Sequence, residues 1–246
     1  MYTIFMSASK TLFISDLHLQ EDNTDSMRYF IEFLNNTAKD CEALYILGDF
    51  FEAYIGDDNQ TNLLKNVALA LKNLHEKHQT KIYLMHGNRD FLIGNEFAQL
   101  CGAKLLPDPV VIDLYGKKTL LTHGDSFCTQ DKSYQFYRKI IRSTFVRFLL
   151  LSFPLSFRQK LALYLRNKSK KHVHQSPKAI MDVSKTTVLQ AGTKHKVSQI
   201  IHGHTHKPQI HHENSTTRYV LPDWHPKGGM LSISSDGSIP ELILWD

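Results

Sequence analysis

Short runs of large apolar residues recur along the first half of the chain, and each run ends in a cluster of polar residues. β-Branched and aromatic residues dominate these runs, which is the pattern of buried strands. The predicted strands are Thr11–Ser15, Ala43–Gly48, Lys81–His86, Val110–Leu114 and Thr119–Thr122. Helical periodicity separates the early runs, over Ser26–Ala38, Asn62–His78 and Phe91–Leu100. Because strands that alternate with helices form parallel sheets, the pattern predicts a mainly parallel, layered α/β fold.

The second half begins with a long segment of mostly helical character, residues 132–190. Its central part, Phe145–Phe157, carries more large apolar residues than a solvated helix needs. Strand-like runs return afterwards, at Gln199–His202, Thr217–Leu221, Met230–Ser234 and Glu241–Trp245. We therefore predict an α/β core of residues 1–131 and 191–246, into which a helical cap of residues 132–190 is inserted.

Composition narrows the class of protein. A chain of 246 residues is long enough for one domain with an insertion. The 3 cysteines are an odd number without Cys-x-x-Cys spacing, which favours reduced thiols in a cytosolic protein over a disulfide framework. The first residues lack the basic and apolar regions of a signal peptide. Arg147 and Pro154 interrupt the longest apolar run, so we expect no transmembrane helix.

Charge is distributed unevenly along the chain. Lys132 to Lys171 contains 11 Lys and Arg and no Asp or Glu, whereas the remainder has 18 basic and 24 acidic residues. Such a block of one sign predicts a specialised surface for an anionic partner.

Short motifs rich in Asp, His and Asn follow the predicted strands. Ligands of open α/β sheets bind beyond the carboxyl ends of the strands, so the placement predicts that the motifs share one site. Each motif alone is common, but their joint occurrence in this order favours a functional site over structural residues. The motifs are Asp16-Leu17-His18, Gly48-Asp49, Gly87-Asn88-Arg89-Asp90, His123-Gly124-Asp125 and Gly203-His204-Thr205-His206.

The donor atoms of these motifs are oxygens and imidazole nitrogens, without a thiolate. Hard divalent ions prefer oxygen ligands, and imidazole suits the later transition metals, so the set predicts an open site for Mn²⁺, Fe²⁺, Co²⁺ or Zn²⁺. In Asp16-x-His18 and His204-x-His206, alternate residues of an extended segment would point the same way. Asp49 is well placed to bridge two ions, because a carboxylate offers two oxygens.

These motifs resemble the signature of the calcineurin-like metallophosphoesterases across nearly the whole core. That resemblance implies an α/β fold with a layered β-sandwich flanked by helices. Longer segments are similar to the UDP-2,3-diacylglucosamine pyrophosphohydrolases, the lipid A enzymes of Gram-negative bacteria, and this likeness covers the insertion as well as the core. The segments are Leu44–Asp58, His86–Leu92, His123–Thr129, Ile180–Val183 and Ile201–His206.

The resemblance implies a set of roles for individual residues. Two Mn²⁺ ions per chain are expected, the first on Asp16, His18, Asp49 and His206, and the second on Asp49, Asn88, His123 and His204. Asn88 and Arg89 are expected to contact the substrate phosphates, and His204 to stabilise charge on the phosphoryl oxygens. Arg89 stands where the wider superfamily has a His, and a guanidinium binds phosphate oxygens rather than acting as a general acid.

The resemblance also assigns residues in and near the cap. Asp131 and Ser169 match positions that contact substrate in relatives. The chain has Val173 and Ser176 where relatives have Asn and Lys, and Lys170, Lys171 or Lys178 are candidates to compensate. Asp90 and Asp125 are expected to orient the metal ligands.

The reaction implied by the family is attack at the α-phosphorus of UDP-2,3-diacylglucosamine without a covalent protein nucleophile. Its products would be UMP and 2,3-diacylglucosamine 1-phosphate. The rival enzyme hypothesis is a generic metal-dependent phosphodiesterase or nuclease, and the rival outside catalysis is a scaffold of the same fold that binds a protein. Degenerate scaffolds lose metal ligands, whereas here every ligand position is filled.

The basic, apolar insertion has three interpretations. It is a helical hairpin with solvated charges, a nucleic-acid surface whose aromatic residues stack on bases, or a lipid-binding cap that also lies on a membrane. With the resemblance, we favour the lipid cap, with peripheral contact at the cytoplasmic face of the inner membrane. We expect no nucleic acid and no obligate protein partner.

Overall fold

The computed structural model describes residues 8–175, 182–213, 215–225 and 228–245, with the side chains of 170–175 left out. Its helices are α1 (Thr24–Asn36), α2 (Asn62–His78), α3 (Asn95–Leu100), α4 (Lys132–Ile141), α5 (Thr144–Ser152), α6 (Leu155–Gln175) and α7 (Lys185–His195). Its strands are β1 (Lys10–Ile14), β2 (Ala43–Leu47), β3 (Lys81–Met85), β4 (Ala103–Leu106), β5 (Val110–Leu114), β6 (Lys117–Leu121), β7 (Gln199–His202), β8 (Gln209–Glu213), β9 (Thr216–Val220), β10 (Gly229–Ser234) and β11 (Glu241–Leu244).

The strands form two sheets. The first has the order β11-β10-β1-β2-β3-β4, and the second has the order β5-β6-β7-β9-β8. Parallel pairs run through the centre of each sheet, from β1 to β4 and across β6, β7 and β9. The edge pairs β10–β11, β5–β6 and β8–β9 are antiparallel, as is β1–β10. The layered α/β fold is confirmed, with two mixed sheets in place of one mainly parallel sheet.

Two apolar layers lie on the faces of the first sheet, which explains why its central strands β1, β2 and β3 carry runs of consecutive apolar residues. In β1, Leu12 and Ile14 pack in the layer that contains residues of α1, α2 and α3, while Phe13 points between the two sheets. Side chains alternate across a strand, so a strand buried on both faces needs apolar residues at every position. The layer between the sheets also contains Leu121 and Ile201.

Three elements differ from the prediction. The strands β4 and β8 were not predicted, and the sequence of β8, Gln-Ile-His-His-Glu, has too few apolar residues to indicate a strand. Helix α3 begins at Asn95 rather than Phe91 because Gly94 is extended at its N-cap and its N–H donates to the Asp57 carboxylate at 2.8 Å.

The inserted segment contains α4, α5 and α6. Helix α7 crosses the predicted boundary at residue 190, and its Val188 packs with Leu120 and Ile200 of the second sheet. The division into core and cap stays a prediction; below, the cap means helices α4, α5 and α6, and the core means the two sheets with the helices packed on them, including α7. Within the described residues, none of the helices combines the length and the apolar character that crossing a membrane requires.

Candidate metal centre

The predicted ligands lie in the loops that follow strands β1, β2, β3, β6 and β7. Backbone hydrogen bonds hold these loops against one another. The Asp16 N–H donates to the Gly48 carbonyl at 3.0 Å, and the His18 N–H donates to the Asp49 carbonyl at 3.0 Å. The Gly203 N–H donates to the His123 carbonyl at 2.9 Å. The carboxyl ends of the central strands of both sheets therefore meet at one site.

Most of the predicted ligands have a left-handed backbone conformation. The φ angles are 56° at Asp16, 49° at His18, 50° at Asp49, 69° at His204 and 54° at His206. The extended segments expected for Asp16-x-His18 and His204-x-His206 are therefore wrong. Each such residue costs about 1–3 kcal/mol, and clusters of them are typical of functional sites that the surrounding fold holds in place.

The first ligand group consists of Asp16, His18 and His206, whose donor atoms all lie within 4.8 Å of one another. The Asp16 carboxylate is completely buried, and its Oδ2 accepts hydrogen bonds from the Ser15 hydroxyl at 2.6 Å and the His204 N–H at 2.8 Å. Its Oδ1 lies 3.4 Å from His206 Nε2. Ligands of one ion at 2.0–2.2 Å are roughly 3 Å apart, so this spacing suits a shared metal.

The second group consists of Asp49, His123 and His204, whose donor atoms also lie within 4.8 Å of one another. The buried His123 ring has Nδ1 at 2.9 Å from the Leu47 carbonyl, which fixes a proton on that nitrogen and leaves Nε2 as an electron-pair donor. Nε2 lies 3.1 Å from Asn88 Oδ1. Asn88 Oδ1 therefore lies at the second group, within reach of an ion that His123 Nε2 could bind.

Asp49 lies between the two groups. Its Oδ2 is 3.8 Å from His18 Nε2 in the first group, and its Oδ1 is 3.7 Å from His123 Nε2 in the second. The Arg89 N–H donates to Oδ1 at 2.9 Å and holds the carboxylate in place. One carboxylate oxygen therefore faces each group, which is the geometry that a bridging ligand requires.

The buried polar atoms of the site fit a divalent metal. Among the described residues, Asp16 Oδ1 and His18 Nε2 are buried without a hydrogen-bond partner, although burial of an unpaired polar atom is costly. Burial alone lowers the pKa of His206, yet the nearby Asp16, Asp223 and Asp49 carboxylates raise it to about 9. The carboxylates thus favour positive charge at this position, which divalent ions would supply.

Two carboxylates that the sequence did not single out orient histidines of the first group. Glu52 Oε2 lies 2.9 Å from His18 Nδ1, and Asp223 Oδ2 lies 3.5 Å from His206 Nδ1. A carboxylate behind a histidine sets the tautomer, so that the other nitrogen can bind a metal. Glu52 follows Asp49 by three residues and could have been suspected from that motif, whereas Asp223 has no signal in the sequence.

The two acidic residues expected to orient the ligands have different environments. Asp90 accepts hydrogen bonds from the N–H groups of Gly87 at 2.6 Å and Phe50 at 2.7 Å, so it joins the two ligand loops through their backbones. The Asp125 carboxylate instead accepts from the Tyr134 hydroxyl at 2.8 Å and forms an ion pair with Arg142 at 3.0 Å. Asp125 therefore holds the cap helix α4 against the site.

A cavity of about 350 Å³ lies between the cap and the core beside the ligand groups. Asn88, Arg89 and Ser169 line it, together with Tyr134, which lies 6.1 Å from the His204 ring. Arg89 Nε is buried without a partner among the described residues. The remaining lining is mostly apolar and comes from both the core and α6, including Tyr54, Ile55, Phe91, Leu92, Leu161, Ala162 and Leu165.

Asp131, predicted to contact substrate, is the N-cap of α4 and is not part of this lining. Its Oδ1 accepts from the Tyr134 N–H at 2.9 Å and the Ser133 hydroxyl at 2.7 Å. Its role toward substrate stays a prediction. Ser176 and Lys178 lie outside the described residues, as do the side chains of Lys170, Lys171 and Val173.

Acid is expected to destabilise the fold through His202, which precedes the last motif. Its ring is completely buried, with Nδ1 at 2.8 Å from the Gly203 carbonyl and Nε2 at 3.3 Å from Arg218 Nη1. Burial, above all, lowers the pKa of His202 to about 3, against 6.5 for an exposed histidine. Above pH 6.5, His202 is neutral in both the folded and the unfolded protein and does not reduce the free energy of unfolding. As the pH falls from 6.5 toward about 3, protons bind this histidine in the unfolded protein only, and the free energy of unfolding decreases.

We expect the free energy of unfolding to decrease through His202 by on the order of 2–3 kcal/mol at two pH units below 6.5. Denaturant unfolding of the protein in EDTA, from pH 7 to pH 4.5, measures it. The His202→Gln variant should be less stable at neutral pH and show a flatter dependence below pH 6.5. Parallel curves for the two proteins would contradict the assignment.

Comparison with known proteins agrees with this geometry. Residues 9–208 match the family model of the calcineurin-like phosphoesterases. The vacuolar protein sorting 29 structure of Cryptosporidium parvum has the same fold, with a TM-score of 0.51 and 14% sequence identity over 92% of this chain and 85% of that chain.

Curated relatives are similar over nearly the full length. The UDP-2,3-diacylglucosamine hydrolase of Coxiella burnetii is 47% identical over 93% of this chain and 95% of the relative. That of Pseudomonas fluorescens is 44% identical over 92% of each chain, and that of Yersinia pestis is 43% identical over 96% of this chain and 98% of the relative. The chain belongs to the calcineurin-like phosphoesterases and, within them, to the UDP-2,3-diacylglucosamine hydrolase family.

Proposed function

We propose that this protein uses two Mn²⁺ ions to hydrolyse UDP-2,3-diacylglucosamine at the α-phosphorus, giving UMP and 2,3-diacylglucosamine 1-phosphate in lipid A biosynthesis. The observation that carries the proposal is the mostly apolar cavity beside the two ligand groups, which Asn88 and Arg89 line at the side of the ligands. A lipid diphosphate needs a charged site for the phosphates next to an apolar space for acyl chains. The relatives named for this substrate support the same assignment.

The protein residues have separable roles in this reaction. Asp16, His18, Asp49 and His206 would hold one ion, and Asp49, Asn88, His123 and His204 the other. Divalent ions at such a centre supply Lewis acidity and lower the pKa of a water ligand to about 7. Arg89 binds phosphoryl oxygens with two parallel N–H groups. Burial lowers the pKa of His204 to about 4, so its ring is neutral at pH 7 and donates one N–H to a phosphoryl oxygen.

The thiols do not serve as nucleophiles in this proposal. Cys41, Cys101 and Cys128 are all buried. Burial raises the pKa of Cys41 and of Cys128 to about 12, so neither is a thiolate at neutral pH. In the proposed reaction water is the attacking group: its oxygen bonds to the α-phosphorus of UMP as the bond from that phosphorus to the bridging oxygen breaks and 2,3-diacylglucosamine 1-phosphate leaves.

Turnover of UDP-2,3-diacylglucosamine in ¹⁸O-labelled water tests the proposal. With Mn²⁺ present, we expect UMP that carries one ¹⁸O and unlabelled 2,3-diacylglucosamine 1-phosphate, and we expect no product after EDTA treatment. Label in the sugar phosphate would contradict attack at the α-phosphorus. Absence of UMP, with hydrolysis of a simple phosphodiester such as bis(p-nitrophenyl) phosphate, would favour the generic phosphodiesterase or nuclease.

We further propose that α5 contacts the cytoplasmic face of the inner membrane. This helix has no buried residue, and the side chains of Phe145 and Phe148 are 73% and 72% exposed. Lysines of the neighbouring helices, Lys139 and Lys160, are exposed as well. Aromatic side chains that enter a bilayer interface, beside lysines that attract anionic headgroups, are typical of peripheral attachment.

Replacing both phenylalanines by serine should weaken binding to vesicles that contain anionic lipid by at least about tenfold, because two large apolar side chains no longer enter the interface. Co-sedimentation with the vesicles measures the binding. The matched control is Leu69→Ser with Leu100→Ser, two exposed positions on the core helices α2 and α3. Equal binding by the two double variants would contradict attachment through α5.

A further inference from the structure

Two consecutive ion pairs connect cap helix α6 with the first ligand group. Its central residue is Glu52, whose side chain is only 14% exposed. Glu52 Oε2 lies 2.9 Å from His18 Nδ1, and Oε1 lies 2.9 Å from Arg166 Nε on α6. The two carboxylate oxygens are thus divided between a ligand of the core and a cation of the cap.

Arg166, at the cap end of these ion pairs, has a further partner in the core. Arg166 Nη2 donates to Gln20 Oε1 at 3.1 Å, and Gln20 lies two residues after His18. Arg166 therefore contacts the loop after β1 twice, once through Glu52 and once directly. Both Glu52 and Arg166 line the cavity between cap and core.

We propose that Glu52 and Arg166 are positioning residues that couple the seating of the cap to the organisation of the first metal group. Glu52 holds His18 so that Nε2 faces Asp49, where it could bind a metal, and Arg166 holds Glu52 from the cap side. Without the Arg166 guanidinium, Glu52 loses its fixed partner on α6 and His18 is held less firmly, whatever else packs α6 on the core. This inference rests on the proposed metal-dependent function.

The alternative roles of these residues predict different behaviour. A cation that only binds substrate phosphate would affect turnover and leave metal binding unchanged. A cation that only packs the cap on the core would resemble Arg158, which also lies on α6. Arg158 forms an ion pair with Asp58 and donates to the Phe153 carbonyl at 2.9 Å. Among the described residues, Glu52 is not one of its hydrogen-bond or ion-pair partners.

Titration of Mn²⁺ into the chelated full-length protein by calorimetry, without substrate, tests the coupling. We expect Glu52→Gln to weaken one of two binding steps by about 10- to 100-fold, the range seen when the partner behind a metal-binding histidine is changed. Arg166→Met should weaken the same step by about tenfold, at the lower end of that range. Arg158→Met, the matched control, should leave both steps within about twofold of the parent.

Electron paramagnetic resonance gives a second reading of the same samples. At a Mn²⁺ concentration that fills both groups of the parent, the parent should show a coupled pair of ions. Glu52→Gln and Arg166→Met should show isolated ions, because only the second group is filled. Thermal unfolding of the metal-free proteins identifies any variant that does not fold, and Arg166→Met decides the question if Glu52→Gln is one of them.

Unchanged metal binding by Arg166→Met would overturn the coupling, even if its turnover fell. Equal weakening by Arg166→Met and Arg158→Met would also overturn it, because cap packing alone would then explain the effect. A parent protein that binds two Mn²⁺ ions but does not hydrolyse the UDP-lipid would overturn the proposed substrate and leave the coupling standing. A parent that binds no Mn²⁺ would overturn both.

Discussion

Replacing Asp49 by Asn should abolish the activity and remove both metal ions together. The two Asp49 oxygens lie 3.8 Å from His18 Nε2 and 3.7 Å from His123 Nε2, so a single carboxylate serves both ligand groups. An amide has the same shape, but it carries no charge and offers one oxygen instead of two. We expect kcat/KM to fall by about three orders of magnitude or more, at or beyond the range for removing one electrostatic contact to the transition state.

Metal analysis after dialysis and steady-state kinetics with added Mn²⁺ measure this effect. The matched control is Asp58→Asn, which changes an exposed carboxylate that pairs with Arg158 of the cap. That variant should retain both ions. An Asp49→Asn protein that keeps one tightly bound ion would contradict the bridging role, because each ion would then be held by its own ligands alone.

Replacing Gly87 by Ala should disrupt the site by a steric clash, without changing its charge. A Cβ at Gly87 would lie 2.1 Å from the Asp49 backbone nitrogen and 2.1 Å from Asp49 Oδ1, which is far inside contact distance. The obstacle is backbone, so no side-chain rotation relieves it. Overpacking of a tight interior costs about 1–3 kcal/mol, and this contact should lie at or above the top of that range.

Denaturant unfolding of the metal-free protein and Mn²⁺ titration measure the two consequences of this substitution. Gly116→Ala is the control, because Gly116 has φ of 81° but nothing within 4 Å of an added Cβ. That variant should lose only about 1 kcal/mol from backbone strain and keep its metal affinity. If both variants lose equal stability and Gly87→Ala still binds two ions, the close approach of these loops is not what organises the site.

Much of the core could be predicted because its local patterns agree with its tertiary environment. The strands β1, β2 and β3 are buried on both faces over most of their length, so each has consecutive apolar residues that end shortly before a polar motif. The polar edge strand β8 has no such pattern. Its place is decided by pairing with β9, from Gln209 opposite Val220 to Glu213 opposite Thr216.

The candidate ligands themselves were predictable in kind but not in conformation. Asp, His and Asn after successive strands indicate a metal site, since parallel strands bring their carboxyl ends to one edge. The left-handed backbone at Asp16, His18 and Asp49 has no local signal, because only the packed loops hold these residues there. Contacts between distant segments, such as Trp224 N–H with the Asp16 carbonyl at 3.1 Å, supply that constraint.

The sequence by itself determined the class of fold, the donor atoms of the site and the basic, apolar character of the insertion. These properties follow from residue type and local spacing. Only the tertiary structure decided that Asp49 faces both ligand groups, that Glu52 and Asp223 orient their histidines, and that Arg166 reaches the core from the cap. Those contacts join residues whose distances depend on how the sheets and helices pack, and packing is a property of the whole chain.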